Sequence, residues 1–134
     1  MQLTRERDRP KSAGTGTIDV APLLATWVNF DAASRGIVRA EIVRSQSSLL
    51  LRPFGASESG LLSWDEAECT PLSDDTSNFK ASGLITSFDL GFQRVLVVGY
   101  VNRGLLTLEA ATIFTDGSPR ARYMTRQHFY RLPR

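Results

Sequence analysis

The stretch LLATWVNFD, residues 23–31, is the part of the sequence from which the fold can be worked out. It follows a charged N-terminal segment and stands directly before a turn-forming stretch, DAASRG at 31–36. A short apolar run with a tryptophan at its centre, Trp27, predicts a strand whose large aromatic side chain enters a core. The folded part of the chain is therefore expected to begin close to a buried tryptophan.

The length and composition indicate one globular domain. The 134 residues, of which 42% are hydrophobic, suffice for a single core. We expect a flexible tail over residues 1–18 and one folded domain over residues 19–134. The single cysteine, Cys69, has no partner for an internal disulfide, and with the single histidine, His128, it cannot supply a structural zinc site. We predict no metal centre.

Other function classes lack their sequence signatures. No window contains the roughly 18 consecutive apolar residues of a membrane span. The arginines of the N-terminal segment are not followed by the apolar run of a secretory signal, so a cytoplasmic location without membrane association is expected. The stretch GTGT (14–17) lacks the lysine of a phosphate-binding loop and follows no predicted strand. No cofactor is therefore predicted.

The remaining sequence has the pattern of short strands. Seven turn-forming interruptions, among them GASESG at 55–60, divide it into eight runs rich in β-branched and aromatic residues. In GIVRAEIVR (36–44), Val38, Ala40 and Ile42 alternate with polar residues, which is the period of a half-buried strand. The one helical signal is a single turn over residues 20–25 that Asp19 could cap.

Eight consecutive strands joined by short turns favour an antiparallel meander. Such a meander most simply loses its exposed edges by closing into a β-barrel, and we predict this all-β fold, with a two-sheet sandwich as the alternative. The run FQRVLVVGYV (92–101) is apolar on both faces, which predicts a second subunit or a large cavity on one side. Gly99 within this run predicts a bulge or a close backbone approach.

A helical turn that leads into a tryptophan on the first strand of such a barrel resembles the calycins, the superfamily of lipocalin, fatty-acid-binding and avidin-like barrels. Ala25-Thr26-Trp27 resembles the Gly-x-Trp signature of lipocalins, with alanine in place of glycine. The resemblance implies that an arginine of the last strand, Arg126 or Arg131, packs over Trp27 as a cation–π contact. It also implies that the barrel binds a small ligand, and that Trp27 closes one end of it.

Charge is unevenly distributed. Residues 119–134 carry five arginines and no acidic residue, whereas the chain as a whole has a net charge of only +2. A basic last strand could bind nucleic acid, as in an OB-type barrel, or it could pair with acidic neighbours within its own sheet. We favour the second interpretation.

Candidate site residues come from several strands and combine aromatic rings with charges. If the barrel is an enzyme, Glu41 and Tyr123 are the catalytic candidates, and the residues expected to contact a ligand are Arg39, Trp64, Tyr100, Glu109 and Arg122. Arg39 and Glu41 lie in the cavity only if the apolar face of their strand packs elsewhere, and the alternation alone leaves that open. In WDEAE (64–68), Glu66 and Glu68 form either a carboxylate pair or an exposed strand end.

The sequence therefore supports three functions. We expect a β-barrel that binds a small apolar or amphipathic molecule in its lumen, with a homodimer as a possible assembly. The first alternative is a cofactor-independent cyclase or isomerase of a natural-product pathway, which would act by positioning its substrate. The second alternative is the OB-type nucleic-acid-binding barrel.

Overall fold

Alternating apolar and polar residues form nine strands and one 3₁₀ turn in the computed structural model, which describes residues 18–74 and 79–133. The 3₁₀ turn spans Ala21–Leu23. The strands are β1 (Ala25–Asn29), β2 (Ile37–Ser45), β3 (Ser48–Ser57), β4 (Gly60–Ser63), β5 (Ala67–Leu72), β6 (Gly83–Asp89), β7 (Gln93–Asn102), β8 (Leu105–Phe114) and β9 (Tyr123–Arg131). The predicted N-terminal tail lies, except for Ile18, outside the described residues.

Eight of these strands form a closed antiparallel barrel. The order around the ring is β1, β2, β3, β5, β6, β7, β8 and β9, and the ring closes where β9 pairs with β1. The predicted barrel is thereby confirmed over the alternative sandwich. The ninth strand, β4, pairs with the C-terminal half of β3 only, while the N-terminal half of β3 pairs with β5.

The end of the barrel near the 3₁₀ turn is closed by Trp27. This side chain is fully buried, and its indole Nε1 donates a hydrogen bond to the carbonyl oxygen of Leu23 at 3.0 Å. The guanidinium of Arg131 lies 5.8 Å from the centre of the indole ring, and its Nη2 donates to the Leu24 carbonyl at 2.9 Å. The predicted covering arginine is thus Arg131 and not Arg126.

The short helical turn predicted before β1 is also confirmed. Pro22 lies in its first turn, where the missing N–H costs nothing. The carboxylate of Asp19 accepts a hydrogen bond from the N–H of Ala21 at 3.0 Å. Leu23 at the end of the turn is fully buried in the core, so the turn is fixed to the barrel by packing as well as by its hydrogen bonds.

A β-bulge decides which face of β2 points inward. The pairing of β2 with β3 shifts between Ile37 and Arg39, so the alternation restarts there, and Ile37 rather than Val38 is buried on the face of Ala40 and Ile42. Ala40 and Ile42 then follow on the inner face. Arg39 and Glu41, which alternate with these two residues, point outward.

The outer face formed by β7, β8 and β9 exposes several apolar side chains. In one cross-strand row, Leu96 is 45% exposed and Met124 is 73% exposed, with Ala111 between them. The predicted apolar character of both faces of β7 is therefore confirmed. The second subunit that this pattern predicted remains a prediction. None of the helical segments in the described residues is long and apolar enough to cross a membrane.

The side chain of Cys69 on β5 is buried inside the barrel, and its ionisation can be used to test that burial. It is 6% exposed, and burial raises the pKa of its thiol from 9.0 to about 11. The native state therefore holds the neutral thiol, and this contributes stability below pH 9.0 that is lost as the pH rises toward about 11.

We expect the free energy of unfolding of the natural protein to fall more steeply between those pH values than that of Cys69→Ala, which lacks the titration. Denaturant unfolding at a series of pH values measures both profiles. Parallel profiles would show that the thiol titrates alike in the folded and unfolded states.

Candidate ligand-binding cavity

The end of the barrel opposite Trp27 contains a cavity of about 330 Å³. Its apolar lining consists of inward-facing strand residues and one tryptophan, namely Ile37, Trp64, Val95, Leu108, Ala110 and Phe129. Its polar lining comes from the connection between β1 and β2 and from β8 and β9, and includes Ser34, Thr112, Thr125 and Gln127. The cavity is therefore mostly apolar with a few polar groups, as is usual for sites that bind small molecules.

The connection between β1 and β2 is folded across the mouth by hydrogen bonds to buried side chains. Asn29, at the end of β1, is 4% exposed, and its Nδ2 donates to the Ile37 carbonyl at 2.9 Å. Its Oδ1 accepts from the N–H of Asp31 at 2.8 Å. The hydroxyl of Ser34 accepts from the N–H of Gly36 at 3.1 Å and from Gln127 Nε2 on β9 at 2.5 Å. These bonds hold Ser34 against the cavity.

Trp64, in the connection between β4 and β5, forms part of the cavity wall. The backbone N–H of Trp64 donates to the Pro53 carbonyl at 3.0 Å, and the Trp64 ring meets Phe88 edge to face, with centroids 6.4 Å apart. A Cβ at Gly55 on β3 would lie 2.9 Å from the Trp64 indole Nε1. The glycine at position 55 is therefore what lets the indole lie against the β3 backbone.

The rim of the mouth near β8 and β9 carries aromatic and charged side chains. Tyr123 lines the cavity, and its ring centroid lies 6.2 Å from that of Phe114. The guanidinium of Arg120 lies 3.9 Å from the centre of the Phe114 ring and is paired with Asp116. Hydrogen bonds from Ser118, together with the nearby charge of Arg120, hold the pKa of the Asp116 carboxyl below its usual value.

Two of the predicted site residues, Trp64 and Tyr123, line this cavity. Arg122 is exposed in the segment just before β9 and is not part of the lining. Arg39 and Glu41 lie on the outer face of β2, where Arg39 Nη2 is 3.3 Å from Glu41 Oε2. The inward direction considered for them is therefore wrong, because Ala40 and Ile42 occupy the inner face.

Tyr100 and Glu109 also lie on the outer face, contrary to the prediction that they line the lumen. They are held by an arginine of the last strand: Arg126 Nη2 donates to the Tyr100 hydroxyl at 2.7 Å, and Arg126 Nε lies 3.3 Å from Glu109 Oε1. Both neighbours raise the pKa of the Arg126 guanidinium, the hydrogen bond to Tyr100 most of all. This cluster follows from the register, which places Glu109 opposite Arg126.

The WDEAE stretch forms no carboxylate pair. Asp65 has a φ of 69° and lies in the connection between β4 and β5, so Trp64, Glu66 and Glu68 do not share one strand face as the stretch predicted. The Arg52 Nε atom lies 2.8 Å from Glu66 Oε2, whereas Glu68 Oε1 accepts a hydrogen bond from the Ser48 hydroxyl at 3.2 Å. Both carboxylates are exposed, and no group of three or more potential metal-binding side chains occurs within residues 18–74 and 79–133.

Sequence reasoning did not find Ser34 and Gln127. Ser34 belongs to a stretch that was interpreted as a turn, and Gln127 stands among the arginines of the last strand. Their contact joins positions 93 residues apart. Only the closure of β9 onto β1 brings them together, so no local pattern could have indicated the pair.

Comparison with known proteins gave no match among protein-family models, curated proteins or solved structures.

Proposed function

We propose that the barrel binds a small apolar or amphipathic molecule in the cavity next to Trp64. The observation that carries the proposal is the position of this cavity, which is inside the ring and is bounded by inward-facing residues of β7, β8 and β9 such as Val95, Leu108 and Phe129. A larger depression of about 590 Å³ beside Arg131 is more open to solvent and is lined by outer-face residues such as Glu41. Apolar ligands gain most free energy in the more enclosed space.

The resemblance to calycins supports the same proposal. A tryptophan on β1 that is buried under an arginine of the last strand, as Trp27 is under Arg131, is the contact that the resemblance implies. A barrel plugged at that end leaves the opposite end for a ligand. We therefore extend the calycin likeness to ligand binding, and the homodimer and cytoplasmic location expected from the sequence remain predictions.

The two alternative functions have less support. A cyclase or isomerase would need its catalytic groups in the cavity, and of the two candidates Tyr123 lines it whereas Glu41 lies on the outer face of β2. Nucleic-acid binding would use the basic C-terminal segment, residues 119–134, but three of its arginines are engaged within the protein. Arg120 pairs with Asp116, Arg126 with Glu109, and Arg131 covers Trp27.

Filling the cavity tests the proposal. In Ala110→Phe the new ring would occupy part of the cavity. We therefore expect the affinity for two small aromatic probes, ethylbenzene and acetophenone, to fall at least tenfold. Chemical-shift titration of the folded variant measures this. Ala111→Phe is the matched control, since Ala111 is the next residue on the same strand and lies in the outer row between Leu96 and Met124.

Failure of both probes to bind the natural protein would contradict the proposal, as would equal affinity in Ala110→Phe. Mass spectrometry of the denatured protein would identify a molecule that purifies with it.

A further inference from the structure

The Ser34–Gln127 pair at the cavity has more hydrogen-bond donors than the protein uses. The Gly36 N–H, the Ser34 hydroxyl and the Gln127 amide group together supply four donor hydrogens. The two hydrogen bonds within the cluster, from Gly36 to Ser34 and between Ser34 and Gln127, use two of them. In the described part of the chain, no further hydrogen bond from Ser34 or Gln127 takes up the other two.

This surplus does not depend on how the amide of Gln127 is oriented. With Nε2 toward Ser34, the free donors are the Ser34 O–H and one N–H of Gln127. With the amide turned by half a rotation, Ser34 donates to the amide oxygen and both N–H groups are free. Ser34 is only 6% exposed, Gln127 is partly buried, and both side chains line the cavity, so a ligand in the cavity would lie beside these donors. A ligand that offers an acceptor oxygen would satisfy them.

The donors are uncharged, which limits the kind of acceptor. An ionised carboxylate loses its hydration on burial and needs a cation beside it. Arg35 does line the cavity, but it is exposed, and Asp31 on the same connection carries the opposite charge. A neutral oxygen requires no such compensation.

We propose that the ligand carries an uncharged carbonyl group, as a ketone, ester, lactone or amide does, whose oxygen accepts hydrogen bonds from Ser34 and Gln127. The apolar remainder of the molecule packs against Leu108 and Phe129 deeper in the lumen. This assignment rests on the proposed function and defines the ligand class for the same cavity.

Three probes of similar size separate the contributions: acetophenone has a neutral carbonyl, ethylbenzene has no acceptor, and benzoate has a charged one. We expect acetophenone to bind the natural protein about tenfold more tightly than ethylbenzene, the effect of one or two neutral hydrogen bonds. Benzoate is expected to bind more weakly than acetophenone. Chemical-shift titration of the full chain gives the three dissociation constants.

Gln127→Glu replaces the amide donors by acceptors with little change of shape and is expected to remove the preference for acetophenone while ethylbenzene still binds. Gln46→Glu, the same change in the turn between β2 and β3, should preserve the preference. Ser34→Ala removes the hydroxyl, which is one donor and also the acceptor of the bonds from Gly36 and Gln127, and it is expected to reduce the preference for acetophenone as well. Equal binding of acetophenone and ethylbenzene, or tighter binding of benzoate, would overturn this inference and leave the proposed function standing. Failure of all three probes would overturn both.

Discussion

Replacing Trp27 by alanine is expected to lower the free energy of unfolding by about 3–5 kcal/mol, which is the usual range for a fully buried aromatic side chain. Trp27 is 0% exposed and fills the closed end of the barrel. The substitution also leaves the Leu23 carbonyl without its indole donor and Arg131 without the ring beneath it. Urea denaturation followed by circular dichroism measures the change.

Trp64→Ala is the matched control for that experiment. Trp64 is only partly buried and stands at the open end, so we expect a smaller loss of stability, accompanied by a change in probe binding. A loss below about 1 kcal/mol for Trp27→Ala would contradict its role as the plug of the barrel.

Gly83→Ala is expected to destabilise the barrel by about 1–3 kcal/mol, because the added methyl group has no room. A Cβ at this position would lie 2.6 Å from the backbone oxygen of Gly99 on β7, and a backbone atom cannot move aside as a side chain can. Gly36→Ala is the control, since its nearest neighbour would be the flexible Gln127 amide at 3.3 Å. Equal thermal midpoints for Gly83→Ala and the natural protein would show that β6 and β7 can separate without cost.

Gly99, the glycine that the sequence marked in β7, supplies the backbone oxygen in this contact and has a close neighbour of its own. A bulge or a close approach was expected at Gly99, and the register of β7 with both neighbours runs through this position without a shift. The close approach is therefore the correct alternative. A Cβ there would meet the Leu108 side chain at 2.7 Å.

Local sequence patterns predicted the elements of the ring, because each strand alternates or is apolar throughout and each turn contains residues suited to it. They failed where tertiary contacts override local preference. The stretch GASESG was interpreted as one interruption, yet β3 continues through Ser57, since Gly55 is needed beneath Trp64 rather than for a turn. The inner face of β2 depended on a bulge that period-two alternation cannot indicate.

The candidate site was predicted only in part. Trp64 and Tyr123 were found because aromatic rings often line ligand cavities, yet the same reasoning placed Tyr100 in the lumen, and it lies on the outer face. The charged residues proposed beside them lie outside, where Arg39 pairs with Glu41 along β2 and Glu109 pairs across strands with Arg126. Charge and spacing alone do not distinguish an ion pair on a barrel wall from a group inside it.

The strand β4 lies outside the eight-stranded ring, at the edge of β3, and is weakly held there. All four of its residues are exposed, and among the described residues it pairs with β3 alone, so it has the fewest contacts to hold it in place. Trp64 follows directly after this strand, and its indole is part of the cavity wall. Fraying of β4 that extended to the hydrogen bond between the Trp64 backbone N–H and the Pro53 carbonyl would move the indole aside and open a lateral exit. The lifetime of a bound molecule would then depend on how often this edge comes loose, rather than on the strength of the contacts deep in the lumen.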